Sequence, residues 1–292
     1  MRQLWFGLRF KELDLSGSEE VSAFHAETAL EEVADGRYQG KISKHWNIGG
    51  NPNGGYLLSI VLGAIARNSG AHPDPLSVTT HYLRPGIPDT ACEVQVELIR
   101  RGRTLTTARA QLIQEGKTRL EVLTAFGDLS APGVQISEDK QVSLTPPAIP
   151  GPMDCPERSG VAQGVELPIR DRIEIRVNPE TQLDAGSTNG KAEVSGWIRM
   201  QDQSPSTPIT AVMFTDAFPP ALFGLLGVIG WVPTIELTVH VRRRPATPWL
   251  LGRFVTDDLQ GGRMVESGAL WDETGALVAQ SRQLGLLLER DA

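Results

Sequence analysis

Apolar positions along the chain switch between two periods. From Tyr56 to Arg67, residues Tyr56, Leu57, Ile60, Val61, Ala64 and Ile65 recur at spacings of three and four, which predicts a helix buried over most of its surface. Four β-rich runs follow, at Leu76 to Leu83, Cys92 to Arg100, Thr104 to Gln114 and Thr118 to Phe126, the last two joined by a turn at Glu115, Gly116 and Lys117. Ahead of the helix, Ala29 to Gly40 alternates loosely and predicts a strand, and the turn-rich segment Gly49 to Gly55 predicts a loop. From Asp128 to about Val165 the periodicity disappears and Pro132, Pro146, Pro147, Pro150, Pro152 and Pro156 gather, as in a linker or a long crossing loop. Beyond it come a strand near Ala192 to Met200, an apolar helix from about Pro208 to Gly227, and an alternating strand from Thr234 to Arg242. Strands at Leu250 to Thr256, Met264 to Asp272 and Leu277 to Leu288 complete the pattern.

The second half repeats the first. The run from Pro75 to Pro85 parallels the run from Pro233 to Pro245, and both end in Arg-Pro. Gly102-Arg103 precedes a hairpin that turns at Gly116, as Gly262-Arg263 precedes one that turns at Gly275. A duplicated unit of about 110 residues, with one long apolar helix and a curved antiparallel set of strands in each copy, buries its helix by wrapping the sheet around it. The expected class is α+β. Residues 1–24 form an N-terminal extension, 25–128 the first repeat, 129–165 a Pro-rich linker and 166–292 the second repeat.

Charge and composition narrow the function. With 28 Lys and Arg against 35 Asp and Glu, the net charge is −7, and the densest basic cluster is only Arg242, Arg243 and Arg244. Binding a phosphate backbone needs a basic stripe, so no nucleic-acid partner is expected. Cys92 and Cys155 cannot frame a disulfide scaffold and have no paired metal-ligand spacing, which points to a reducing, cytoplasmic setting. The five histidines, His25, His45, His72, His81 and His240, are scattered as well, so no metal and no cofactor is expected. Arg9 and Lys11 interrupt the apolar start before a secretory core forms, which reads as a mature N-terminus. The longest apolar stretch, Ala211 to Val232, contains Asp216 and Pro219-Pro220, and its uninterrupted part, Ala221 to Val232, is 12 residues. A spanning helix takes about 20, so no membrane segment is expected. No Gly-x-Ser-x-Gly elbow is present, and Gly116-Lys117-Thr118 lacks the earlier glycine of a phosphate-binding loop.

Several segments in this order resemble the double hot-dog acyl-CoA thioesterases, the thioesterase II-like family: Gly54-Gly55 opening the helix, Tyr82 to Gly86, the strand pair around Gly102-Arg103 and Gly116, Thr215-Asp216, Pro233 to Thr238, and Val278 to Gln283. The resemblance covers roughly residues 25–128 and 166–288. It implies hydrolysis of fatty acyl-CoA thioesters by a water that an Asp, a Thr or Ser, and a Gln of the second half hold and activate. By position these are Asp216, Thr234 and Gln283, with Thr238 as the alternative hydroxyl, because the repeat alignment needs one extra residue among Arg242 to Arg244 and sliding it selects Thr238, while alternation puts Thr234, Glu236, Thr238 and His240 on one face of a regular strand. The implied partner is the acyl-CoA substrate; a homo-oligomer stays open, since two fused units already supply the sheet pairing that single units obtain by dimerising.

The residues fit that chemistry and also have plainer readings. Thioester hydrolysis needs an oriented water, a base and donors for the developing oxyanion. Asp216 lies in an apolar segment, where desolvation raises a carboxyl pKa toward the working range, although Asp before Ala-Phe-Pro-Pro also reads as a helix N-cap. Gln283 alternates with small neighbours Ser281 and Gly285, which leaves room for a water or places it on a solvated face. The first repeat has Thr124 at the matching place and no acidic counterpart to Asp216, so one site per chain is expected. Gly54 and Gly55 can bare backbone N–H groups toward a carbonyl oxygen, or simply form a turn. Arg84 and Arg243 can meet CoA phosphates, or cap solvated strand ends. Two other functions remain, hydration of an enoyl-CoA, which wants an Asp and His pair, and non-catalytic acyl binding.

Overall fold

The structure is a computed structural model that describes residues 22–159, 165–183, 187–227 and 232–288; the expectations for residues 1–21 and 228–231 lie outside them. After a short helix α1 (Ala23–Glu27), the chain forms strands β1 (Glu31–Ala34) and β2 (Arg37–Lys41), a hairpin where alternation predicted one strand. The reason is Gly36, whose φ of 67° is open to glycine and tightens the turn. A brief pairing of β3 (Asn47–Ile48) with β4 (Asn51–Pro52) leads into helix α2 (Gly54–Asn68). Asn53 caps α2, its Oδ1 accepting from the Tyr56 N–H at 2.9 Å. Strands β5 (Asp74–Tyr82), β6 (Ala91–Arg101), β7 (Thr106–Gln114) and β8 (Lys117–Gly127) then follow, close to the predicted runs.

The second half supplies β9 (Ile173–Val177), β10 (Glu193–Met200), helices α3 (Pro208–Phe214) and α4 (Phe223–Leu226), and strands β11 (Thr234–Val241), β12 (Leu250–Gln260), β13 (Arg263–Asp272) and β14 (Leu277–Leu286). Here the single helix expected from Pro208 to Gly227 is corrected to two short ones. Helix α3 opens with a reciprocal cap between Thr207 and Thr210 and stops at Thr215. Pro219 and Pro220 lack the N–H that a continuing helix needs, and they bias the residue before each of them away from helical geometry. Asp216 therefore follows a helix end instead of capping a helix start in its own segment.

All of the long strands form one antiparallel sheet in the order β1-β2-β6-β7-β8-β5-β11-β14-β13-β12-β10-β9. The halves meet at β5 and β11, where Thr79 lies opposite Thr238 and Val78 opposite Val239. Within each half the connections match, and so does an irregularity. The register of β5 on β8 shifts between Pro75 and Ser77, and that of β11 on β14 shifts between Thr234 and Glu236. Since Pro75 pairs with Phe126 and Thr234 with Gly285, Thr234 occupies the place of Pro75, one residue from the alignment that matched Pro75 to Pro233. The expectation that Thr234 shares a face with Glu236, Thr238 and His240 is corrected too, because the extra residue, Ile235, turns Thr234 to the opposite side.

Helix α2 is buried along its length, with Leu58, Ile60, Leu62 and Ile65 joining Val94, Ala110, Leu112 and Val122 of the sheet in one core. Its N-terminus meets the C-terminal end of α3, and that approach depends on Gly55, where a Cβ would come 2.6 Å from the Met213 carbonyl oxygen. Between the halves, the Pro-rich segment crosses the second repeat and is pinned there. The Trp197 indole donates to the Pro150 carbonyl at 2.8 Å and the Trp271 indole to the Leu144 carbonyl at 2.9 Å.

Candidate active site

A cavity of about 440 Å³ opens where the α2 N-terminus, the end of β5, the turn after α3 and the start of β11 converge. Its walls are largely apolar, from Leu57, Phe218, Phe223, Val232, Phe254 and Met264 among others. Asp216, Thr234 and Gln283 all face it, although they come from the turn after α3, the bulge of β11 and the last strand.

These three side chains form one connected row. The Thr234 hydroxyl lies 3.5 Å from Asp216 Oδ1, at the edge of hydrogen-bond reach, and the Gln283 amide donates to Thr234 Oγ1. Gln283 is opposite Leu237 in the sheet, on the inner face, as its alternation allowed. The other carboxylate oxygen, Asp216 Oδ2, accepts from the Gly55 N–H at 2.8 Å and from Asn53 Nδ2 at 3.1 Å, and Asn53 also donates to the Asp216 carbonyl at 2.8 Å. Asp216 thus sits on the N-terminal end of α2, where the helix dipole favours negative charge. Protein surrounds the group apart from its opening onto the cavity, and burial pushes its pKa up to about 6 against the hydrogen bonds from Gly55, Thr234, Asn53 and Gly54, which favour the ionised form.

The remaining expected residues divide. Thr238 is on the outer face of β11, with its hydroxyl 3.0 Å from that of Thr79 and donating to Glu236 Oε1, so it does not reach Asp216. Gly54 lines the cavity, and a Cβ there would strike both Asp216 and Tyr82; the Gly55 N–H is committed to Asp216, so the expectation that it stands bare for a carbonyl oxygen is corrected. Arg84 is exposed at the cavity rim, its guanidinium donating to the Thr118 carbonyl at 3.0 Å. Arg243 is corrected as a site residue, since β11 carries the chain roughly 23 Å beyond Thr234 before Arg243 is reached; it does not line the cavity.

Two site residues escaped the sequence reading. Asn53 both caps α2 and donates to Asp216, and its signal was an Asn directly before a glycine-opened helix. Glu266 is buried, lines the cavity opposite Gln283 in the β13–β14 pair, and accepts from the Ala221 N–H at 2.9 Å. Burial pushes its pKa up to about 7 against that bond, and the negative charge of Asp216 adds to the rise. Its signal was a carboxylate in phase with Met264, Gly268 and Leu270 on an inward face. Among the described residues no group of side chains has the make-up of a metal site, and no helix is long and apolar enough to cross a membrane.

Comparison with known proteins gives the family. Residues 42–130 match the acyl-CoA thioesterase N-terminal domain and residues 151–287 match the acyl-CoA thioesterase C-terminal domain, most of the chain between them. The chain belongs to the acyl-CoA thioesterase family. An uncharacterized protein of Mycobacterium tuberculosis is 24% identical over 269 residues, covering 86% of this chain and 90% of its own. Among solved structures, a chain assigned as a thioesterase II from Thermobifida fusca is similar over 94% of this chain and 100% of its own, with 27% identity and a TM-score of 0.79. A hot-dog-fold protein from Alicyclobacillus acidocaldarius covers 91% of this chain and 98% of its own at 21% identity and a TM-score of 0.76. The fold of this acyl-CoA thioesterase family member is accordingly the double hot-dog, and its α+β class is the one expected from the repeat.

Proposed function

We propose that this protein hydrolyses acyl-CoA thioesters to a free acid and CoA, at one site per chain, using a water activated by Asp216. The observation that carries the reading is the linked row of Gln283, Thr234 and Asp216 facing an apolar cavity. Donation from Gln283 to Thr234 leaves the Thr234 proton directed at Asp216, so the three side chains hold one orientation. A water at the carboxylate gives a proton to Asp216 as its oxygen attacks the thioester carbon. The tetrahedral intermediate then collapses, the carbon–sulfur bond breaks, and the proton passes from Asp216 to the departing sulfur. A carboxyl whose pKa lies near 6 can perform both transfers near neutral pH.

The apolar walls suit the acyl chain, and Arg84 at the rim suits a phosphate of the CoA portion. None of the described residues lining the cavity is a histidine, which favours hydrolysis over an Asp and His hydration of an enoyl-CoA. The deciding experiment measures free CoA released from acyl-CoA thioesters of graded chain length by the wild type and by Asp216→Ala. Equal rates in the two would refute the assignment, and loss of enoyl absorbance without CoA release would favour hydration. Tight binding with no turnover of any thioester would favour a non-catalytic acyl-binding protein.

A further inference from the structure

We infer that the hydroxyl of Tyr82, on the first repeat, donates to the thioester carbonyl oxygen and so supplies oxyanion stabilisation beside the second repeat's Asp216, Thr234 and Gln283. The inference rests on the hydrolytic reading and adds a residue to it. Tyr82 ends β5 and lines the cavity beside Asp216. A Cβ built on Gly54 would be 2.8 Å from Tyr82 Cε1, 3.0 Å from Tyr82 Cζ and 2.9 Å from Asp216 Oδ2, so phenol and carboxylate converge on the same spot from different elements. The glycine is what lets them do so.

The Tyr82 hydroxyl is shut off from bulk solvent and has no hydrogen-bond partner among the described residues. Buried hydroxyls are nearly always paired, because an unpaired one costs stability; since Tyr82 lines the cavity, a small shift of its ring as a ligand enters turns this orphan into a donor for a carbonyl oxygen. The Gly55 N–H and both Asn53 amide hydrogens bond Asp216, while Gln283 gives one of its two amide hydrogens to Thr234. Burial, with the negative charges of Asp216 and Glu236, keeps the phenol protonated well above the usual tyrosine range, so Tyr82 donates without losing its proton. Attack by the water converts the carbonyl oxygen into an oxyanion next to that O–H, and the bond strengthens as the charge develops.

The test is Tyr82→Phe, which removes one oxygen and leaves the ring in place. CoA release should fall by about 10²-fold in kcat, the usual effect of deleting one oxyanion donor, with KM changed by less than about threefold. The melting temperature should hold or rise, because the lost group had no partner in the free protein. In parallel, the infrared carbonyl band of a ¹³C-labelled acyl-CoA bound to Asp216→Asn should lie at lower frequency than when bound to Asp216→Asn/Tyr82→Phe. A Tyr82→Phe enzyme with wild-type kcat would overturn the proposal, as would a drop in kcat matched by a lower melting temperature and an unmoved band. If wild type releases no CoA, the hydrolytic reading fails by itself, and the carbonyl band of bound acyl-CoA still decides the Tyr82 contact. An acyl-CoA that does not bind at all ends both.

Discussion

Thr234 and Thr238 lie four positions apart on β11 yet face opposite sides of the sheet, because the bulge at Ile235 separates them. Thr234 meets Asp216 and Gln283, and Thr238 meets Thr79 and Glu236. Thr234→Ala should therefore lower kcat by about 10- to 100-fold, the equivalent of losing a hydrogen bond to a charged group. Thr238→Ala should leave CoA release close to wild type. Reversed effects in a thioesterase assay would show that the wrong hydroxyl has been chosen.

The raised pKa of Asp216 fixes the direction of its pH dependence. As a base it must be ionised in the free enzyme, so kcat/KM should climb through about pH 6 and flatten above it. Asp216→Asn should reduce kcat by about 10²- to 10⁴-fold, the range for loss of a general base, and abolish that limb. A pH profile with the same acid limb in both proteins would exclude Asp216 as its origin.

Glu266 shares the cavity with Asp216, and its pKa near 7 is a stability statement. Between its ordinary value and about 7 the folded state binds more protons than the unfolded one, so this group's contribution to stability falls as pH rises through that window. Glu266→Gln keeps an acceptor for the Ala221 N–H and removes the charge. At pH 8 it should raise stability by about 1–3 kcal/mol, and at pH 4 it should change little. It should also move the Asp216 limb to lower pH by deleting a negative neighbour. Denaturant melts and rate profiles across pH check both signs.

Gly55 sets how closely α2 approaches α3. Gly55→Ala should destabilise by about 1–3 kcal/mol, because its methyl would press on the Met213 carbonyl oxygen and push Asn53 and the N–H donors away from Asp216. Thermal unfolding reads the loss, and a wild-type melting temperature would show that the helices part without cost.

Arg84 lies at the cavity rim and Arg243 does not line the cavity, so the two contrast a phosphate-binding reading with a remote cation. Arg84→Ala should raise KM several-fold with little change in kcat, the pattern for binding energy that is uniform between ground and transition states. Arg243→Ala, remote from the cavity, should change neither. A kinetic comparison at low salt, where charge contacts are least screened, gives the largest contrast.

Much of this arrangement was written in the chain. Alternation located β5 to β8 and β10 to β14 within a few residues but not β9 (Ile173–Val177), and 3.6-residue spacing located Gly54–Asn68, because each pattern records which face of a local element is buried. The duplicated Arg-Pro strand ends and hairpin glycines gave the two-repeat plan. The apolar surroundings of Asp216 foretold a raised pKa, since desolvation follows from neighbours close in sequence. Tertiary structure alone decided the rest. Whether Thr234 faces Asp216 depends on one extra residue in a pairing between β11 and β14, and a one-residue slip reverses every side chain without altering the pattern along either strand. The Gly55 N–H turned to Asp216 and the placing of Tyr82 beside Asp216 cross the junction of the two repeats, and the bond from the Ala221 N–H to Glu266 joins distant elements of the second. Local periodicity carries no information about such meetings, because they are set by how the elements stack and not by how each is built.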